Sequence, residues 1–151
     1  MKLTRVFEPD IVKPIMFRLW DYIAEDGVSM ESFSPDMHGE AWLLAHDGDK
    51  IIGCFNFHAL GVCTLQVHAQ ILPEYRKEYS EKAGRAALDF FLSTGYNRLF
   101  AEVPVIHPNV KKFCEKMGMT EESISRGSYK KNGEIIDQSV MVILRAELCQ
   151  K

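Results

Sequence analysis

The sequence predicts a mixed α/β (α+β) fold, a mostly antiparallel sheet of six to seven strands flanked by three or four helices. Three observations predict it. Two β-rich runs meet at Asn132-Gly133, and two more flank Asp47-Gly48-Asp49; both are hairpin signals, because such residues tolerate the positive φ of a tight turn. A strand-like run, an amphipathic helix and a further strand follow one another between Thr64 and Ile106, which implies one parallel crossover. Near the N-terminus, Val12, Ile15, Met16, Leu19 and Ile23 recur at helical spacing.

Taken in order, Leu3 to Phe7 reads as a first strand. Asp10 is placed to cap a helix running to about Glu25, with Pro14 in its first turn, where a missing N–H costs little, and Gly27 as its stop. Ser29 to Gly39 is polar but mixes in Met30, Phe33 and Met37 around Pro35; it reads as a loop or short helix of the kind that borders a substrate site. Ala41–His46 and Lys50–Leu60 form the first hairpin. Thr64–Leu72 is the next strand, with Leu65, Val67, Ala69 and Ile71 on one face and Gln66, His68 and Gln70 on the other. A basic loop leads from it into a helix from about Glu81 to Ser93, whose Ala83, Ala87, Phe90 and Phe91 share a side. Arg98–Ile106 returns to strand, Val110–Met117 is a short helix stopped by Gly118, and Ser123–Lys131 with Glu134–Arg145 closes the chain as a hairpin. No repeat, low-complexity tract or linker interrupts residues 1–151, so a single domain is expected.

Composition narrows the function classes. Eighteen basic against 21 acidic residues leave a net charge of −3, which argues against a sequence-independent grip on nucleic acid. No apolar run approaches the ~18–20 residues that a membrane-crossing helix needs, and the N-terminus lacks the pattern of a signal peptide. Cys54, Cys63, Cys114 and Cys149 are scattered, as expected of reduced thiols in a cytoplasmic protein. Histidines 38, 46, 58, 68 and 107 show no metal-ligand spacing, so no metal is expected. Gly-x-Ser-x-Gly, Gly-Lys-Ser/Thr and Gly-x-Gly-x-x-Gly are all missing.

The order of elements, with "ILPEYR" (Ile71–Arg76), "FCEKMGM" (Phe113–Met119) and the final "SYKKNGEIIDQSVMVIL", resembles the GNAT superfamily of N-acetyltransferases, small phage-encoded members included. The resemblance implies a central splay between two parallel strands and acetyl-CoA as acyl donor. On it, backbone of the strand holding Val67, Ala69, Ile71 and Leu72 binds the pantetheine arm. The loop and helix start that follow present N–H groups to the pyrophosphate, helped by the helix dipole. Arg76, Lys77, Lys82, Gly84 and Arg85 are the candidate pyrophosphate contacts, with Asn109 and Phe113 as further cofactor contacts.

Three departures from the family pattern stand out. Without gaps, the two loop-glycine positions hold Tyr79 and Glu81; with about three extra residues, Gly84 takes the second and Lys82 the first. At least one glycine is therefore gone, and charge-assisted contacts from the basic side chains would have to replace close backbone approach. Alternatively, those side chains are an ordinary solvated helix start. The family's proton-donating Tyr is replaced by Cys114, which otherwise reads as a small buried hydrophobe. His107 occupies the place of the family's Asn, and Asn109, two residues on, can equally cap the short helix.

Direct attack of an amine on a thioester needs the neutral amine, and a lysine-like amine of pKa ~10.4 is about one part in a thousand neutral near pH 7.4. His68 and Glu102, on the two strands expected to splay, are the candidate bases, with a core histidine and an ion-paired strand residue as their plain alternatives. Asp36 and Glu40 can attract a cationic acceptor. The expected activity is therefore acetyl transfer from acetyl-CoA to a primary amine, with a non-catalytic, partner-binding protein of the same fold, such as a phage component, as the alternative. The last hairpin offers an edge strand to a second copy, which makes a homodimer the self-association to expect.

Overall fold

The computed structural model describes residues 1–150. Seven strands form one sheet in the order β1-β2-β3-β4-β5-β7-β6. They are β1 (Lys2–Val6), β2 (Ala41–Asp47), β3 (Lys50–Leu60), β4 (Thr64–Ile71), β5 (Arg98–Pro104), β6 (Thr120–Lys131) and β7 (Glu134–Leu144). Every neighbouring pair is antiparallel except β4 and β5. Five helices accompany them: α1 (Pro9–Arg18), α2 (Trp20–Ile23), α3 (Arg76–Ser93), α4 (Pro108–Lys116) and α5 (Arg145–Cys149).

Prolines set where the helices begin. A residue before proline is pushed to extended backbone, while proline itself suits the first helical turn. Glu8 is extended (φ −98°, ψ 118°), so α1 starts at Pro9; Asp10 lies inside its first turn and caps nothing. His107 (φ −115°, ψ 66°) likewise precedes Pro108, which puts Asn109 within the first turn of α4 rather than at its cap. Leu72 is extended before a 3-10 turn over Pro73–Tyr75, and that turn runs straight into α3. The helix thus begins at Arg76, not near Glu81, and the expected basic loop is helix. The first helix also ends sooner than Glu25, breaking at Leu19 before the short α2. The last strand stops at Leu144, and Arg145 opens α5.

Helices cover both faces of the sheet. On one, Ala83, Ala87, Leu88 and Phe91 of α3 pack with Leu43, Phe55, Phe57, Leu65 and Ile71 of the sheet and Met141 and Ile143 of β7. On the other, Val12, Ile15 and Met16 of α1 pack with Val6, Trp42, Cys54 and Leu72. Gly84 belongs to the first layer: a Cβ there would lie 2.6 Å from Met117 Sδ and 2.7 Å from Phe113 Cζ, so the glycine lets α3 approach α4. Asp137 accepts the Gly127 N–H at 2.8 Å where β6 bulges away from β7.

The half-buried Arg145 closes the C-terminal end of α3. Its Nε donates to Tyr96 O at 2.9 Å and its Nη1 to Leu92 O at 2.9 Å, while Nη2 serves Phe91 O and Thr94 O. A cation is well matched to those end carbonyls, which have no partner within the helix. Arg145→Ala is expected to destabilise by about 2 kcal/mol, the scale of hydrogen bonds to a charged group, lowering the melting temperature by roughly 4–8 °C. An unchanged melting curve would show the contacts to be idle.

Candidate active site

β4 and β5 pair only at Thr64, Gln66 and the residue between, opposite Arg98, Leu99 and Phe100, and then diverge. From Val67 onward the edge of β4 turned toward β5 has no ladder partner. A cleft of about 660 Å³ fills the opening and passes through the sheet. Toward α3 and α4 it is lined by Gly84, Ala87, Phe113, Cys114 and Met117. Toward α1 and α2 it is lined by Trp42, Asn56, His68, Glu102, Glu40 and Glu25, and among the described residues no lysine or arginine lines it.

His68 and Glu102 therefore face one space from opposite walls. Gln138 Nε2 donates to Glu102 Oε2 at 2.8 Å and orients that carboxylate. His68 is exposed toward the cleft, while protein packs around its ring on the other sides. This crowding lowers its pKa from the ordinary 6.5, with a smaller push from His58. His58 in turn lies 3.4 Å from Glu40 across the mouth. Cys114 is buried, and desolvation pushes its thiol up to about 11. It is a neutral thiol near pH 7, not a nucleophile.

The expected cofactor residues divide. Val67, Ala69 and Phe113 line the cleft. Ile71 and Leu72 lie beyond it, buried in the two cores. Asn109 is exposed on α4, outside the cleft. Arg76 and Lys77 stand on the first turn of α3. Arg76 Nε donates to Ile71 O at 3.0 Å, and its guanidinium lies 5.4 Å from the centre of the Tyr22 ring. Tyr22 stacks on His107 with centroids 4.3 Å apart, so an Arg76–Tyr22–His107 series joins the ends of the two diverging strands. Lys82 is a turn further along, over the Tyr79 ring. Arg85 is nine residues beyond Arg76, roughly 13.5 Å along the helix, and pairs with Glu81 at 3.1 Å.

That spacing corrects the idea of one basic loop. The start of α3 carries Arg76 and Lys77, whereas Arg85 stands on its third turn. Tyr79, at the place of a loop glycine, is buried with its hydroxyl donating to Asp47 Oδ2 at 2.6 Å; Gly84 is occupied in packing against α4. Neither supplies a glycine to the helix start.

Trp42, Asn56, Tyr22, Glu25 and Gln138 were not among the residues singled out from the sequence. A register reading of the first hairpin was the available signal for two of them, and it fails at a bulge. Asp47↔Lys50 and His46↔Ile51 follow the turn, but Ala45 then pairs with Gly53, so Ile52 is extra. Only this slip brings Trp42 opposite Asn56, and Asn56 in turn lies opposite His68.

A mixed sheet splayed between its one parallel pair, with a helix start at the mouth of the splay, is an acyltransferase architecture. The chain belongs to the GNAT family: residues 8–120 match the family model described as an acetyltransferase (GNAT) domain. Its structure is similar to a chimera of Vibrio cholerae spermidine N-acetyltransferase SpeG and hSSAT, with a TM-score of 0.83 at 19% identity over 99% of both chains. It is also similar to spermidine N-acetyltransferase from Vibrio cholerae in complex with CoA and spermine, with a TM-score of 0.77 at 20% identity over 98% of both chains. The Streptococcus mutans UA159 protein smu.2055 aligns with a TM-score of 0.74 at 18% identity, over 96% of this chain and 99% of that one. No curated protein matches significantly. At these identities the structural likeness speaks for the fold.

Proposed function

We propose that the chain, acting as a single domain, transfers acetyl from acetyl-CoA to the primary amine of a cationic acceptor by direct attack. The observation that carries this reading is the cleft itself: it opens on a free strand edge and the start of α3, and on its other side it holds three carboxylates without a lysine or arginine. Acetyl-CoA supplies an activated thioester. The free edge from Val67 to Ala69 suits the amide groups of a pantetheine arm, and Arg76 and Lys77 suit its pyrophosphate. Glu25, Glu40 and Glu102 attract an ammonium group. His68 and Glu102 are the bases that take its proton, directly or through water. Cys114, at about 11, is too weak an acid to protonate a thiolate of pKa roughly 8.5, so the CoA thiolate leaves as its anion and comes to equilibrium with the solvent after it has left. Spermidine and spermine, named for the similar Vibrio cholerae proteins, are cationic amines of the required kind and the first acceptors to try. All four cysteines are free, which suits a reducing, cytoplasmic setting.

Acetyl-CoA at about 100 times its dissociation constant is expected to stabilise the native chain by roughly 2.7 kcal/mol, or about 5–10 °C. Arg76→Ala should remove most of that shift and Arg85→Ala little of it. Release of free CoA thiol in the presence of an amine panel then reads catalysis. No shift and no thiol release would overturn the proposal. Those results would favour the second reading, a partner-binding protein of this fold, to which the absence of a loop glycine at the start of α3 already points.

A further inference from the structure

Two donors in the acceptor half of the cleft have no hydrogen-bond partner, and they constrain what the acceptor must carry besides its amine. The inference rests on the acetyl-transfer reading above. Trp42 and Asn56 are register partners on β2 and β3, Asn56 and His68 on β3 and β4, so the three side chains form one row across a single face. Trp42 is 4% exposed and Asn56 6%. The Trp42 indole Nε1 and the Asn56 amide Nδ2 are shut off from the surface and find no hydrogen-bond partner on the protein. Two other polar side chains that line the cleft do have partners. Trp20 donates its Nε1 to Val28 O at 3.3 Å, and Gln138 donates its Nε2 to both Glu102 and Ser128.

A buried donor without a partner is costly, and two side by side in a cleft form a site that a bound molecule would relieve. An indole N–H only donates, so what Trp42 lacks is an acceptor atom. The Asn56 amide can take either role depending on which way it is turned; the demand for an acceptor stands on Trp42 alone. A fully protonated polyamine has no such atom. A carboxylate would have one, but Glu25, Glu40 and Glu102 line the same cleft with no lysine or arginine to offset them. What remains is an uncharged acceptor atom, of which a carbonyl or hydroxyl oxygen is the simplest.

We infer that the acceptor is an amine that also bears a neutral carbonyl or hydroxyl oxygen, with Trp42 and Asn56 as its specificity-determining pair. Strands lie ~4.8 Å apart, so an amine at His68 sits roughly 5–10 Å from an oxygen at Asn56 or Trp42, about four to seven bonds along an extended chain. Phe33 packs edge-on against Trp42 with centroids 6.1 Å apart, and it stands on the irregular stretch after the turn at Met30–Ser32.

The test uses the full ¹⁵N-labelled chain with CoA and three acceptors of equal length: hexanediamine, aminohexanamide and aminohexanol. Trp42→Phe identifies the Trp42 indole signal, and Trp20 serves as the internal control. An oxygen-bearing acceptor is expected to bind at least about tenfold more tightly than the diamine, the worth of one good hydrogen bond, and to move the Trp42 indole proton downfield while Trp20 stays. The amide and alcohol arms tell carbonyl from hydroxyl. Asn56→Leu should shrink the preference to about threefold or less. Equal or tighter binding of the diamine overturns the inference, as does an unmoved Trp42 signal at saturation or failure of all three to bind. Thiol release is scored separately. Its absence with the binding preference intact would remove the catalytic reading and leave the binding one.

Discussion

Replacing His68 by Gln is expected to lower kcat for acetyl transfer by about a hundredfold or more and to remove the acid limb of the pH profile. Two facts support the size of the effect. A positioned base contributes typically 10²–10⁴-fold, and the amine arrives almost wholly protonated. His68 can take that proton because desolvation by the protein packed around its ring, and then the charge of His58, lowers its pKa from 6.5 and leaves it neutral at pH 7. The sign follows. The native rate is flat on the acid side until the pH falls below about 6.5 and then declines as His68 is protonated, whereas the variant is slow with no such decline. kcat/KM followed from about pH 5 to 9 settles it. If His68→Gln keeps both the rate and the limb while Glu102→Gln loses them, Glu102 is the base and His68 only shapes the cleft.

Stability carries the same sign. His107 is lowered too, chiefly by burial, so the folded chain resists protonation at both histidines. That contribution is whole above the unfolded value near 6.5 and is lost as the pH falls toward the lower folded values. The melting temperature should therefore drop between about pH 7.5 and 5.5, and by less in the His68→Gln variant.

The sequence made the sheet legible because its signals are local. Asn132-Gly133 and Gly48-Asp49 specify hairpins within a few residues, and the alternation from Leu65 to Ile71 specifies a face. His68 and Glu102 were singled out by another route: the family resemblance implies a splay between the strands that carry them, and both line the cleft. Helix starts were misread where a cap was sought instead of a proline. Pro9, Pro73 and Pro108 each pre-set φ and push the residue before them to extended backbone, which overrides a polar residue two positions on. Reading the basic residues after Pro73 as a loop moved the start of α3 to Glu81 and hid that Arg76 and Lys77 are helical. The Trp42–Asn56–His68 row could not be read, because it depends on one extra residue in β3 that no turn motif announces. Gly84 was legible as a glycine but not as a packing glycine; its neighbours Phe113 and Met117 are some thirty positions away, and only the fold brings them near.

Gly53→Ala should be among the most destabilising single changes available to this chain, and it should damage the cleft as well as the fold. Gly53 follows the bulged Ile52 and lies opposite Ile71, at the end of β4. A Cβ there would fall 2.0 Å from Gln70 O and 2.9 Å from Ile71 Cα. These are backbone atoms, so no side-chain rotation relieves the overlap. The end of β4 must move outward, against a Leu72 N–H that donates to Ile52 O at 2.9 Å and against Ile71 and Leu72 in the two cores. Overpacking usually costs 1–3 kcal/mol, and a backbone clash belongs at the top of that range. About 3 kcal/mol corresponds to a melting temperature roughly 6–12 °C lower. Gly95→Ala is the control, because a Cβ there meets nothing within 4 Å and its melting point should stay within a degree or two. The displaced segment leads from the free strand edge to the start of α3, where Arg76 bonds Ile71 O. Folded Gly53→Ala protein should therefore also lose the stabilisation by acetyl-CoA that Gly95→Ala retains. A variant that melts early yet keeps the full ligand shift would mean that the strand relaxes along its length without moving its end, and that the cofactor grips the chain elsewhere.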